Sequence, residues 1–327
     1  MKLTPKEKRI LATAQYRADA PLSVIAKLSG YREHTVRHCI NSLLDRKLIE
    51  PFTLINVSAL GFSDYAVFFS FAPGCSSPKD VLAWIQSHEA VGWVGEVAGE
   101  FEHVVLLSVR DITEVAEFFA MLSERFGEVM ASKSQSTRLS WCYFPRKHLL
   151  GPEQKSPPIT ISRVPTVTGF DELDHQILRE LSSRPGDSRL AAAKRLGIPQ
   201  STLQYRVSKL VEKKVIAAFV YSVTLSDVGA VVYRLLLDAR EQGRAFSDKV
   251  RRFSEQHPNV VGLTHCVGSW DYEVRVELAR PEDLIGLRDE IRRALGKSLH
   301  SIRSLAEFND LKWSMYPFAK FPFEKSR

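Results

Sequence analysis

Two stretches of this 327-residue chain carry side chains suited to reading a polyanion. The first holds Arg32, His34, Thr35, Arg37 and His38. The second holds Gln200, Ser201, Thr202, Gln204, Tyr205 and Arg206, with Lys209 further on. Arginine can bond guanine bidentately, and glutamine can bond adenine. Serine and threonine hydroxyls bond phosphates, which position without specifying. These groups read duplex DNA only if a helix presents them to the major groove.

A second set of residues lies in short turns. Gly268, Ser269, Trp270 and Asp271 lead into Tyr272, and Gly99-Glu100-Phe101-Glu102 leads into His103. Glycine supplies the positive φ that a tight hairpin connection requires. Asp271 is a natural turn residue, so a plain hairpin accounts for these positions in both halves. The functional alternative is that turn amides and Asp271 face a cleft and hold an amino acid, with Arg275 as the cation for its carboxylate. No catalytic or metal constellation assembles. His34 and His38 lack the HExxH glutamate arrangement, and there is no Gly-x-Ser-x-Gly elbow or P-loop. Glu96, Glu100 and Glu102 read as a solvated rim. Cys39, Cys75, Cys142 and Cys266 lie far apart, as expected of isolated thiols in reduced cytosol. No cofactor is expected.

The elements that must position these residues repeat. Thr35 to Ile49 aligns with Thr202 to Ile216, and His88, Val91 and Gly99 align with His257, Val260 and Gly268. The offset drifts only from 167 to 169, the mark of an internal repeat. In each half, helices surround a tight turn at Gly30 or Gly197. Thr4-Pro5 and Asp171 give start signals. The third helices span about 33–46 and 200–213, and extended segments follow at 52–57 and 218–223. This pattern predicts a helix-turn-helix with a wing, twice. Alternating segments follow: strands at 65–72, 91–97, 103–109 and 129–139 with helices at 78–87 and 112–126, then strands at 230–238, 260–267, 272–278 and 299–306 with helices at 246–256 and 281–295. The order β-α-β-β-α-β predicts a ferredoxin-like sheet with helices on one face and a bare face that a second sheet would cover. The reading is therefore α+β, with two winged helix-turn-helix units and two ferredoxin-like modules in tandem. Boundaries fall at 1–60, 61–144, a proline-rich linker at 145–168, 169–226 and 227–327.

Charge follows these boundaries. The net charge of +7 divides into +5 over 1–60, −6 over 61–144, +3 over 145–168, +3 over 169–226 and +2 over 227–327. Basic charge concentrated in the helical segments and linker points to a polyanion partner for those segments. No apolar run reaches the roughly 20 residues of a membrane span, and the start lacks a signal-peptide core. A cytoplasmic protein without membrane contact is expected.

Asp174-x-x-Ile177-Leu178, then Leu196-Gly197-Ile198-Pro199-x-Ser201-Thr202-x-x-x-Arg206-Val207-x-x-Leu210-x-x-x-x-Val215-Ile216, resembles the leucine-responsive/asparagine-responsive (Lrp/AsnC) regulator family. So does His257-Pro258-Asn259-Val260 with Cys266 to Tyr272. The resemblance covers nearly the whole chain, twice over. It implies a transcription regulator that binds double-stranded DNA, responds to an amino acid or related small molecule between modules, and forms a homo-oligomer. The same fold also serves, as paired or fused subunits, in sirohaem decarboxylases, which makes a fused enzyme of that kind the alternative.

Overall fold

The computed structural model describes residues 3–150, 157–164, 166–223, 229–240 and 243–320. Thr4 caps α1 (Pro5–Ala14). Its hydroxyl accepts from the Glu7 amide at 3.2 Å, and the Glu7 carboxylate accepts from the Thr4 amide at 2.7 Å. This reciprocal capping box satisfies two helix-end donors. Helices α2 (Leu22–Ser29) and α3 (Glu33–Asp45) follow, and Val36, Ile40 and Leu43 close a core with Ile10 and Ile25. Residues 172–212 repeat the arrangement as α7 (Glu172–Ser183), α8 (Arg189–Leu196) and α9 (Gln200–Glu212), with Asp171 and Asp174 forming the capping box. Lys47 and Lys214, one residue beyond the cap of each third helix, both take positive φ, at 55° and 59°.

The strands after the third helices depart from expectation. The sequence pattern gives each unit its own wing. Instead β1 (Ile49–Ile55) pairs antiparallel with β7 (Ile216–Val223), with Phe52 opposite Val220. Ile55, Val57, Leu60 and Phe62 then enter the core of the second helical unit, and Tyr221, Val223 and Val232 enter that of the first. Leu54 and Ile55 are fully buried. A solitary wing would have left them facing water, at about 1.5–3 kcal/mol for each large aliphatic side chain.

The remaining strands are β2 (Ser63–Phe71), β3 (Val91–Ala98), β4 (His103–Val109), β5 (Met130–Tyr143), β6 (Ile159–Ser162), β8 (Val231–Ala239), β9 (Val260–Gly268), β10 (Tyr272–Leu278) and β11 (Leu299–Trp313). Within each half the order is last-first-third-second: β5-β2-β4-β3 and β11-β8-β10-β9. That is the order a β-α-β-β-α-β ferredoxin-like arrangement predicts. The two sets then join. β3 pairs with β11, β9 pairs with β5, and β5 also pairs with β2, so eight strands close into a barrel. The long strands make the closure. β5 pairs with β2 through Arg138 and with β9 from Ser136 onward, and β11 passes from β8 to β3 near Ala306.

Outside the barrel, α4 (Pro78–Ser87) and α5 (Ile112–Phe126) cover Val67, Phe69 and Val105. On the other side, α10 (Arg244–Gln256) and α11 (Asp283–Leu295) cover Leu235, Leu237 and Val274. Inside, Phe68, Trp270, Leu236 and Leu305 fill one end, as an eight-stranded barrel permits.

Two segments are more ordered than the sequence suggests. β6 lies against β5, with Ile161 opposite Trp141, so part of the proline-rich linker is tied to the barrel. Residues 151–156 and 165 of that linker lie outside the described residues. The tail reads as loosely docked, yet Tyr316 and Phe318 are buried in the second helical core, and Tyr316 Oη lies 2.9 Å from His175 Nδ1. Apolar burial holds it in place. Residues 321–327 lie outside the described residues.

Candidate functional site

On α9, Gln200, Ser201, Gln204, Tyr205 and Lys209 are exposed, and Thr202 is half-buried. Arg206 is half-buried and engaged, donating to Asp171 at 2.7 Å and Asp174 at 3.2 Å. Lys209 donates to Glu212 at 2.8 Å. On α3, His34, Arg37 and His38 are exposed, Thr35 is half-buried, and Arg32 stands at the N-cap. Arg37 donates to Glu33 at 2.7 Å. Exposed pairs of this kind are weakly held, so phosphate can displace them. Arg206 differs, because it spans from α9 to the first turn of α7 and braces the helix rather than presenting a donor.

The hairpin turns are employed differently from the expectation that their polar groups face a cleft. Ser269 N donates to Gln135 O at 3.0 Å, and Ser269 O accepts from Arg303 Nη2 at 2.8 Å. Trp270 is buried edge-on against Phe68, with centroids 5.0 Å apart. Asp271 accepts from the Ala239 amide at 2.7 Å, and Glu102 accepts from the Phe71 amide at 3.1 Å. The longer Glu102 thus does in the first half what Asp271 does in the second, clasping the hairpin to the end of the neighbouring strand. Gly268 and Gly99 sit at φ 141° and 142°. A Cβ on Gly268 would lie 2.4 Å from Gln135 O, and one on Gly99 would lie 2.9 Å from Ser304 O. These glycines let β5 and β11 cross at close range. The turns are therefore closure devices.

The sequence reading missed the barrel lining. Glu273 is buried and accepts from Arg138 at 3.0 Å, Arg234 at 2.5 Å and the Trp270 indole at 3.2 Å. Glu307 accepts from Arg234 and Arg275, at 2.6 and 2.7 Å. Glu277 accepts from Arg146 at 3.1 Å. Burial alone would raise the Glu273 carboxyl, but the guanidinium groups of Arg138 and Arg234 overcome this and hold it at about 2. Burial and Arg146 act in the same opposed way on Glu277, also held at about 2. Three carboxylates and four guanidinium groups form one network across the barrel. Arg275, nominated from sequence as a carboxylate partner, is one of its members.

Beside this network is a cavity of about 190 Å³, bordered by Trp93, Trp141, Trp313, Tyr143, Asp64 and Arg138. Outside it, between the β1–β7 ribbon and the barrel rim, runs a wider cleft of about 820 Å³. Tyr16, Phe52, Arg146, Phe308 and Trp313 border the cleft. Among the described residues, no group of three or more histidine, cysteine, aspartate or glutamate side chains is placed to hold a metal ion, and no helix is long and apolar enough to cross a membrane. Cys39 and Cys266 are buried, and all four thiols are unbridged.

The class of protein that this arrangement resembles follows from comparison. Residues 170–217 match the model of the family described as winged helix-turn-helix DNA-binding. An uncharacterized HTH-type transcriptional regulator of Pyrococcus horikoshii is 25% identical over 143 residues, covering 42% of this chain and 88% of that protein. The HTH-type transcriptional regulator FL11 of Pyrococcus abyssi is 27% identical over 117 residues, covering 36% of this chain and 77% of that protein. Over its whole length the chain shares its fold with the siroheme decarboxylase NirDL. The TM-score is 0.61 at 16% identity, covering 96% of this chain and 94% of the other.

Proposed function

We propose that this chain is a DNA-binding transcription regulator of Lrp/AsnC type, with two winged helix-turn-helix units and two ferredoxin-like modules in tandem, divided near residues 60, 144, 168 and 226. The observation that carries this reading is the match of residues 170–217 to a DNA-binding helix-turn-helix, whose third helix exposes Gln200, Ser201, Gln204, Tyr205 and Lys209. Gln200 and Gln204 read base edges, and Ser201, Thr202 and Lys209 contact phosphate. On α3, Arg32, His34, Thr35, Arg37 and His38 supply the second contact. The ribbon between the units fixes their spacing, and a small effector in the space between modules and ribbon biases it. The protein acts in the cytoplasm as a homo-oligomer.

The test is binding to the DNA upstream of its own gene across a salt series, with an unrelated duplex as control. Sequence-preferring binding that weakens steeply with salt is expected. Gln204→Ala should lower specific affinity about tenfold or more, and Arg37→Ala should lower affinity for both duplexes alike. Equal binding to both duplexes by the unaltered protein would overturn the reading.

A second reading, a sirohaem decarboxylase-like enzyme, is favoured by the whole-chain fold similarity. The inner cavity of about 190 Å³ is too small for a tetrapyrrole, which leaves the ribbon cleft of about 820 Å³ as the space it would need. A Soret band that titrates to one tetrapyrrole per chain would favour this reading over the first.

A further inference from the structure

Asp64 stands out among the polar residues that border the inner cavity. It faces the barrel axis from β2, directly opposite Ser108 on β4 and Arg138 on β5. The Ser108 hydroxyl donates to it at 2.7 Å. Among the described residues it forms no ion pair, and the guanidinium of Arg138 acts on it only through space. Its neighbour Arg138 is drawn across the barrel to Glu273 and lies over the Trp93 ring, 5.5 Å from its centroid. Arg138 Nε is buried and has no hydrogen-bond partner among the described residues. The cavity is therefore bordered on adjacent strands by an acceptor, Asp64, and a guanidinium, Arg138. Cross-strand neighbours of this kind sit about 5 Å apart at Cβ, so both border the same ligand-sized space.

The walls are flat and aromatic. Trp141 and Tyr143 have centroids 4.3 Å apart, Trp93 and Trp313 5.9 Å, and Trp141 and Trp313 6.4 Å. Leu106, Val261 and Met315 add apolar surface. An apolar cavity of about 150 Å³ takes up benzene, and drug-sized ligands occupy roughly 300–1,000 Å³. A space of about 190 Å³ thus suits one or two fused rings. Arg138, Arg234 and Arg275 all border it, which disfavours a fully charged ammonium and favours a neutral N–H as the group that meets Asp64.

We propose that this cavity binds a planar heteroaromatic lactam, in the size range of a free oxopurine or oxopyrimidine base. One ring N–H donates to Asp64, the adjacent carbonyl accepts from the Arg138 guanidinium, which borders the cavity, and the ring packs among Trp93, Trp141 and Trp313. The barrel holds one such site per chain. The position equivalent to Asp64 in the second half is Val232, and the residue opposite it is Glu277 rather than Ser108. Binding stands on the cavity alone; any effect of the ligand on DNA rests on the regulator reading above.

The experiment is quenching of intrinsic tryptophan fluorescence in the full-length protein without DNA. The probes are guanine, hypoxanthine, xanthine, uracil and adenine, with free tryptophan, phenylalanine and leucine as competitors by calorimetry. Saturable binding of at least one oxo-base, at one per chain, is expected. Asp64→Asn should weaken it at least tenfold, and Leu106→Trp, which fills the cavity, should abolish it. Both variants are to be checked for an unchanged circular dichroism spectrum and for unaltered DNA retention in the absence of base. Failure of every oxo-base to bind, equal binding to Asp64→Asn, or preference for an amino acid would each overturn the proposal. None of these outcomes bears on DNA binding, so the regulator reading fails or stands separately.

Discussion

Where β2 and β4 turn Ala66, Val104 and Leu106 toward the barrel axis, β8 and β10 turn Arg234, Glu273 and Arg275 at the equivalent positions. The scaffold is the same on both sides, with the same strand order and the same hairpin clasps, yet at these positions one wall is apolar and the other is charged. In a symmetric dimer each change would appear twice. A single chain lets the walls diverge, so Arg234, Glu273 and Arg275 stand on one side where Ala66, Val104 and Leu106 stand on the other. Asymmetry in the barrel matches asymmetry in the third helices, where His34 and His38 stand on α3 while α9 presents Gln204 and Tyr205.

The sharpest way to break this comparison is to remove the hub of the charged wall. Glu273→Leu leaves Arg138 and Arg234 without their shared partner, and a loss of about 3–5 kcal/mol in denaturant unfolding is expected. The matching change on the apolar wall, Val104→Leu, which adds one methylene to a packed site, should cost less, about 1–3 kcal/mol. Acid provides a second handle. Glu273 and Glu277 are held at about 2, below the ordinary 4.5. Their folded values are depressed, so the stability they contribute is complete above about pH 4.5 and is lost as pH falls toward 2. Glu273→Gln should therefore flatten the stability curve between those limits.

The closure glycines test the two crossings. Gly268→Ala forces a Cβ against Gln135 O and should cost about 2–3 kcal/mol; Gly99→Ala, with more room, should cost about 1–2. Equal losses would mean that the crossings tolerate crowding alike. Asp64→Asn should have the smallest effect and the opposite sign. Burial raises the Asp64 carboxyl against the pull of the Ser108 hydroxyl and Arg138. A folded value above the unfolded one penalises the fold at neutral pH and ceases to do so in acid. The asparagine variant should be as stable as the parent at pH 7, or slightly more so by thermal melting.

Much of this fold was legible from periodicity. The helices at 78–87 and 112–126 and the strands at 91–97, 103–109 and 272–278 stand within a residue of the pattern that implied them. The α9 surface was equally plain, since its polar residues lie on the face opposite Leu203, Val207 and Leu210. The barrel lining was hidden for a physical reason. Tyr272-Glu273-Val274-Arg275-Val276-Glu277-Leu278 alternates charge with apolar residues, as a strand with one wet face does. Only closure turns that face inward, and closure depends on pairings such as Gly268 with Ser136. The wings misled for the same reason. Partners about 170 residues apart leave no local trace in Ile49–Ile55.

That separation also governs how the protein is made. At about 5–20 residues per second, roughly 10–30 s pass between synthesis of β1 and of β7. Until Tyr221, Val223 and Val232 emerge, the first helical core lacks the side chains that seal it. Non-local pairing of this kind slows folding. A nascent chain cut short before residue 216 therefore carries α3 on an unfinished base, and the first helical core closes only once both units have been translated.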